Sequence, residues 1–494
     1  MLNRRDFIAS AAAVAVLPNR IHGIRWQSPR ITGVDPTRLQ RILADTAAEL
    51  GVVGAQLAVF DGERVHEVVT GLANREQKIA VTTDTLFQIG STTKVFNAAL
   101  IMTLVDEGVL DLDKPVTTWI PDFRVSDSPA AGRITLRQLL SMSAGLDNGT
   151  YQDHGRGDDA MARYVASMAE IPLIFEPGTA FSYANSGSIV AGLAAQKAAG
   201  KNWETLLADR ILKPLRLTQA ANFPEELLFH PVALGYQRAT VTAEPVRVRV
   251  WALPRSMAPA GGTLCASAGD LVRFARMFLA EGKAADGKQV LSPASVRTMH
   301  TPQVDLPARL TAHKWCTGPY WKQWDGVTIY GHSGTNSGGS SMLLWIPSKN
   351  VAIATIANVP NQGYPLADRI FDKVFPEMFG IAKPRAPTPG SSTPARVDDL
   401  QRFLGRFVAY GSMIEFVADG AKLVARVYSG ERASDGAGQP TMTSELIPLG
   451  GDRFLPANPE MGGNRGWDVA FWGADANGRA THFLNGVFGM RRAA

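Results

Sequence analysis

The chain has 494 residues, 45% of them hydrophobic and 19% charged, with a formal net charge of +5. That length exceeds what one hydrophobic core usually fills and predicts two domains with ample apolar content. Arg4, Arg5 and Arg20 supply part of the positive excess, and no run of lysine and arginine interleaves with aromatics, so a nucleic-acid partner is set aside. The eight histidines are scattered without ligand spacing, and Cys265 and Cys316 make neither a disulfide scaffold nor a metal site. Chemistry without a metal or an organic cofactor is therefore expected, with both cysteines unpaired.

At the amino terminus, Asn3-Arg4-Arg5-Asp6-Phe7-Ile8 precedes the small apolar run Ala9 to Pro18. This is similar to a twin-arginine export signal over residues 1–24 and implies a periplasmic or secreted bacterial protein. The run is too short to span a bilayer, and no other stretch approaches the required length of about 20 apolar residues, so no membrane span is expected in the mature chain. Whether the segment is cleaved or kept as a short anchor stays open.

Residues 35 to 50 alternate apolar and polar groups at helical spacing. Gly54 to Phe60 and Arg64 to Gly71 then read as two strands joined at Asp61-Gly62. A helix opening at Ser91 is apolar on most faces and stops at Gly108, which places it inside a domain. A mostly helical middle follows, including a helix from about Ser186 to Ala199. Strands return at Val327 to Tyr330, Ser341 to Ile346 and Val351 to Asn358. Early and late strands around a helical middle predict one α+β domain, residues 25–382, whose antiparallel sheet joins both ends of that segment. Residues 383–395, rich in proline and small polar residues, read as a linker. Residues 396–494 carry short β-patterned segments, Ile414 to Val417, Lys422 to Val427, Glu445 to Pro448, Trp467 to Trp472 and Thr481 to Val487. With turns such as Asp419-Gly420 between them, they predict a small antiparallel barrel or sandwich with no catalytic signature.

Three segments carry candidate chemistry. In Gly90-Ser91-Thr92-Thr93-Lys94 the serine and lysine are three residues apart, hence on one helix face, as a nucleophile needs its base. A serine N-cap with a lysine reaching solvent is the plain alternative for that pair alone. In Phe181-Ser182-Tyr183-Ala184-Asn185, after a Pro177-Gly178 turn, tyrosine can shuttle a proton and asparagine offers donor and acceptor to a carbonyl substrate. In Gly331-His332-Ser333-Gly334-Thr335-Asn336, after a β-patterned run, Gly334 lets the backbone approach a ligand.

Together and in this order the three segments resemble the serine β-lactamase and penicillin-binding-protein superfamily, in the branch with class C β-lactamases, D-alanyl-D-alanine carboxypeptidases and related esterases. The resemblance covers roughly residues 30 to 380 and implies a β-lactamase-like serine hydrolase domain. Residues 396–494 would be the small lipocalin-like barrel often appended to such hydrolases. It implies that Ser91 forms an acyl-enzyme, that Lys94 helps deprotonate it and that Tyr183 relays protons. Asn185, His332, Ser333 and Gly334 would bind substrate, and the backbone amides of Ser91 and Thr335 would form the oxyanion hole. Two departures matter. His332-Ser333-Gly334 stands where β-lactamases of the branch carry Lys-Thr-Gly, and histidine is only partly charged near neutral pH. Met142 stands where many relatives carry histidine. The expectation is an exported hydrolase of a small-molecule or peptide ester or amide, of esterase or D-amino-acid peptidase type. β-Lactamase activity or a catalytically weak peptidoglycan-binding or sensing protein are the alternatives.

Overall fold

The computed structural model describes residues 33–126, 128–238, 243–308, 312–385, 400–429, 439–458, 460–461 and 468–493. The expected export signal and most of the expected linker lie outside the described residues. Asp35 caps the first helix, α1 (Pro36–Leu50), accepting from the Thr37 amide at 2.9 Å, and Gly51 ends it at φ 60°. The hairpin follows as β1 (Gly54–Phe60) and β2 (Val65–Asn74). Helices α2 (Thr93–Asp106), α3 (Asn185–Ala199) and α4 (Ala268–Leu279) belong to the middle segment. The chain then returns through β3 (Tyr320–Trp324), β4 (Val327–Thr335), β5 (Ser340–Ile346), β6 (Val351–Ala357) and the helix α5 (Pro360–Val374).

Nine strands form one sheet in the order Ile79–Ala80, β2, β1, β6, β5, β4, β3, Lys314–Trp315, Val304–Asp305, antiparallel throughout. The pairing of β1 with β6, Ala55 opposite Ala357 through Phe60 opposite Ala352, is the expected join between the early and late strands. Every residue of β1 and β6 is buried because both faces of the sheet are covered. Alternation sorts them: Ala58 and Phe60 face the core built on α2 and α4, whereas Leu57 and Val59 face the core built on α1 and α5. Helix α2 is buried from Thr93 to Leu104, with Phe96 stacked on Phe274 of α4 at 3.7 Å, as its lack of a polar face predicts.

The carboxyl-terminal segment closes into an eight-stranded antiparallel barrel. Its strands are β7 (Gly405–Ala409), β8 (Ser412–Asp419), β9 (Lys422–Ser429), β10 (Met442–Gly450), β11 (Arg453–Pro456), β12 (Val469–Trp472), β13 (His482–Asn485) and β14 (Phe488–Arg492). Phe407, Phe416, Phe454, Phe471 and Phe483 fill its interior with ring centroids 4.7 to 6.1 Å apart, so side chains rather than a ligand cup occupy it. Ala470, Leu484 and Val487 point outward into the same apolar cluster as α1 and α5, which joins the barrel to the larger domain's core. The segment read as one strand from Thr481 to Val487 is in fact β13 followed by a two-residue turn.

Candidate active site

A tight turn at Gly90–Thr92 feeds α2, and no side-chain cap hydrogen bond is made at either start. This rules against the N-cap alternative for Ser91. Lys94 does not reach solvent either. It is 2% exposed, and its Nζ lies 3.1 Å from Ser91 Oγ, 2.6 Å from Asn185 Oδ1 and 2.6 Å from the Ala260 carbonyl. Burial pushes the Lys94 amine well below the ordinary lysine pKa. The geometry follows from that. In its neutral form the amine has two N–H bonds and one lone pair; the two oxygens that can only accept then take the N–H bonds, and the lone pair faces the Ser91 hydroxyl. The group is thereby arranged to receive a proton from Ser91.

Asn185 is the first residue of α3. With no side chain on Ala184 to cap the helix, Asn148 Oδ1 accepts from the Asn185 amide at 3.0 Å, and the Ser186 hydroxyl donates to the Asp147 carbonyl. The Asn185 side chain is spent in both directions, Oδ1 on Lys94 and Nδ2 donating to the Tyr151 hydroxyl at 3.1 Å. Tyr183 is 7% exposed, with its ring centroid 4.8 Å from Lys94 Nζ. Met142, in left-handed backbone at φ 59°, supports this loop: its carbonyl accepts from Ser182 and its Sδ from Ala184.

The sequence places His332 just after a strand; the structure carries β4 on through Thr335, so His332, Ser333 and Gly334 pair with Leu343, Met342 and Ser341 inside the sheet. His332 is buried among the rings of Tyr183, Trp315 and Tyr320. Its Nδ1 lies 2.7 Å from the Ser333 carbonyl, and burial drives its pKa down to about 3. It is therefore neutral at neutral pH rather than partly charged, with the Nδ1–H donating and Nε2 without a partner among the described residues. The Tyr364 hydroxyl donates to Ser333 Oγ.

Gly334 lies so close to the turn before α2 that a Cβ there would stand 1.8 Å from the Ile89 carbonyl and 2.7 Å from the Ser91 amide. Gly90, at φ 53°, meets Thr335, and Gly261 meets Gly90 and the Ser91 amide in the same way. Three glycines from separate segments thus allow the strand edge and the serine turn to touch. Gly334→Ala is expected to abolish labelling of Ser91 by a fluorophosphonate and to destabilise the fold by about 2 kcal/mol or more, read by thermal unfolding.

Above these groups opens a cleft of about 480 Å³ bordered by Ser91, Asn185 and Thr335, with Tyr151, Asn336, Asn361 and Tyr364 around it. Lys94, Tyr183 and His332 lie beneath its surface, and among the described residues that border it none is acidic or basic. The model of the family described as Beta-lactamase matches residues 39–373, from α1 to the end of α5.

The chain belongs to the Beta-lactamase family. It is 38% identical to Penicillin-binding protein 4 of Amycolatopsis lactamdurans over 332 residues, 67% of this chain and 85% of that relative. A solved structure of SurE superposes with a TM-score of 0.75 at 27% identity, covering 93% of this chain and 99% of that one. D-amino acid amidase from Ochrobactrum anthropi SV3, solved with L-phenylalanine amide, superposes with a TM-score of 0.56 at 27% identity over 68% and 97% of the two chains. Within this β-lactamase-family fold Lys94 meets Ser91, as their three-residue spacing predicts, and also Tyr183 and Asn185, as the resemblance implies. Sequence reasoning missed the Ala260 carbonyl, Asn148 and Tyr151. A backbone carbonyl carries no sequence signal, and the other two sit in a stretch without a helix or strand period.

Proposed function

We propose that this protein is a serine acyl hydrolase that cleaves an ester or amide through a Ser91 acyl-enzyme, D-amino-acid amides and esters foremost. The single observation that carries it is the Lys94 amine, buried without a carboxylate and shared between Asn185 Oδ1, the Ala260 carbonyl and Ser91 Oγ. In this reading Lys94 takes the Ser91 proton, Ser91 Oγ attacks the carbonyl carbon, and Tyr183 passes the proton to the leaving group. The amides of Ser91 and Thr335, which border the same cleft, hold the oxyanion. The preference for D-configured substrates rests on the likeness to D-amino acid amidase and to a structure of SurE with D-Leu, 28% identical with a TM-score of 0.73. Neutral His332, with no acidic or basic residue among the described residues that border the cleft, supports a substrate without the carboxylate of a β-lactam. Export through the arginine-pair signal belongs to the same reading and rests on Arg4 and Arg5 ahead of the apolar run alone.

The likeness to Penicillin-binding protein 4 favours a second reading, in which penicillin acylates Ser91 and stays there. A panel of D-phenylalanine amide, p-nitrophenyl acetate and nitrocefin separates the two. Wild-type protein is expected to turn over the amide or ester continuously and to label with a fluorophosphonate, and Ser91→Ala to do neither. A stoichiometric burst on every substrate supports the second reading, and equal labelling of Ser91→Ala overturns both.

A further inference from the structure

Asp147 is buried, 5% exposed, and the mechanism above does not use it. Among the described residues it has no ion-pair partner, and burial raises its pKa against the pull of two backbone amides. Those amides come from different places: Gly149 donates to Oδ1 at 3.0 Å from within the same loop, and Tyr410 donates to Oδ2 at 2.9 Å from the barrel. A buried carboxylate is costly unless hydrogen bonds replace its water, so the barrel bears directly on this group. Residues 145–155 form neither helix nor strand, and their position depends on contacts with other segments. The Asp147 carbonyl accepts from the Ser186 hydroxyl, and the Asn148 carbonyl accepts from the Ser186 amide at 3.2 Å. Asn148 Oδ1 accepts from the Asn185 amide at 3.0 Å, and the Tyr151 hydroxyl accepts from Asn185 Nδ2 at 3.1 Å. The loop is thereby tied to the first two residues of α3, and Asn185 in turn holds Lys94 Nζ at 2.6 Å. On its other side the loop meets the turn Tyr410–Gly411 between β7 and β8, where Ala409 pairs with Ser412.

We propose that Asp147 is a positioning residue: its carboxylate clasps the Tyr410–Gly411 turn of the barrel and so fixes the loop that holds Asn185, and through Asn185 the Lys94 amine facing Ser91. This rests on the acyl-enzyme reading and adds a part to it. The contacts run from the Tyr410 amide through Asp147 and Asn148 to the backbone of Asn185. Asp147 does not itself border the cleft, so loosening it changes the setting of Asn185 and Lys94 before it changes the room for substrate. Small errors in the placing of such groups cost rate, and the loss falls on kcat more than on KM.

The test cuts the clasp from either end and uses whichever substrate of the panel above the wild type turns over fastest. Gly411 has φ 69° whereas Tyr410 lies outside the left-handed region, an arrangement that suits proline at the first position of the turn. Tyr410→Pro therefore deletes the N–H and keeps the turn, and Tyr410→Ala, which loses the same ring and keeps the N–H, is its reference. The kcat of Tyr410→Pro is expected to fall about 5-fold or more below that of Tyr410→Ala, with KM changed less than about 2-fold. Asp147→Ala, which removes the acceptor, is expected to lose about 10-fold or more in kcat. The double variant should lie within about 2-fold of Asp147→Ala, because its second change cuts a hydrogen bond already gone. Lowered Tm with unchanged kcat in the folded variants overturns this proposal alone, and so do losses that multiply in the double variant. If Asp147→Ala does not fold, Tyr410→Pro against Tyr410→Ala decides. A wild type that turns over no member of the panel takes down the acyl-enzyme reading and this proposal with it.

Discussion

Lys94→Met is expected to lower kcat/KM by about 10³-fold while leaving Tm at neutral pH no lower than that of the wild type. The loss follows from removing the lone pair that faces Ser91 Oγ at 3.1 Å. The retained stability follows from the cost of the native lysine. In the unfolded chain the amine is protonated at neutral pH, whereas burial in the fold lowers its pKa well below the ordinary value. The folded state thus binds fewer protons than the unfolded state, so stability rises with pH below the ordinary lysine pKa, at up to about 1.4 kcal/mol per pH unit. Methionine fills the same space without that cost, although the Asn185 and Ala260 oxygens each lose a donor worth about 1 kcal/mol. Two measurements check the argument. Tm of the wild type should climb between pH 7 and 9 more steeply than that of Lys94→Met. The wild-type kcat/KM should fall toward acid as Lys94 takes up its proton, while His332, at about 3, adds no limb near neutrality. A Lys94→Met protein with turnover within tenfold of the wild type, or with the same dependence of Tm on pH, defeats the assignment.

The parts of this molecule legible in the sequence are those set by short-range periodicity. Helix α2, buried on nearly every face, and the strands β1 and β6, buried at every position, stand where continuous apolar runs place them. Ser91 and Lys94 are legible for the same reason, since three-residue spacing fixes a common helix face. The contacts that set the chemistry are a different matter, because they come from closure of the chain on itself. Ala260 lies 166 residues from Lys94 and contributes only a carbonyl, which every residue possesses. The close approach of the serine turn to β4 needs Gly90, Gly261 and Gly334 at once, and no spacing links them. The turn between β13 and β14 escaped notice because its central residues are Gly486 and Val487, with Gly486 at φ 65° and Asn485 paired with Phe488. That is the II′ arrangement, with glycine first, rather than the Asn-Gly pair at the turn's centre that marks a hairpin most clearly.

That turn joins the barrel to the candidate active site, and Gly489→Val is expected to lower kcat by about 10 to 100-fold with a smaller change in KM. The Tyr183 amide donates to the Val487 carbonyl at 2.8 Å, and the Gly489 amide donates to Ser182 Oγ at 2.9 Å. Phe488 meets the Tyr183 ring edge-on, with centroids 5.7 Å apart, and Val487 shares an apolar cluster with Phe181, Tyr183 and Met142. The barrel is itself held to the larger domain: Asp147 accepts from the Tyr410 amide at 2.9 Å, His482 Nε2 donates to the Ile174 carbonyl at 3.0 Å, and Phe175 packs against Trp472 and His482. Tyr183 is thus fixed from behind by a strand that the resemblance treats as an appendage. A Cβ on Gly489 would stand 2.8 Å from Ser182 Oγ and 2.9 Å from its Cβ, so a valine displaces the Ser182 and Tyr183 loop without touching Ser91. Phe488→Ala removes only the ring and keeps both backbone hydrogen bonds, so its loss in kcat should be the smaller, about 3 to 10-fold. Steady-state kinetics with fluorophosphonate labelling separate this from misfolding, because a folded Gly489→Val protein should still label Ser91, only more slowly. Wild-type kcat in Gly489→Val would show that Tyr183 holds its place without the barrel and return the barrel to the role of an appendage.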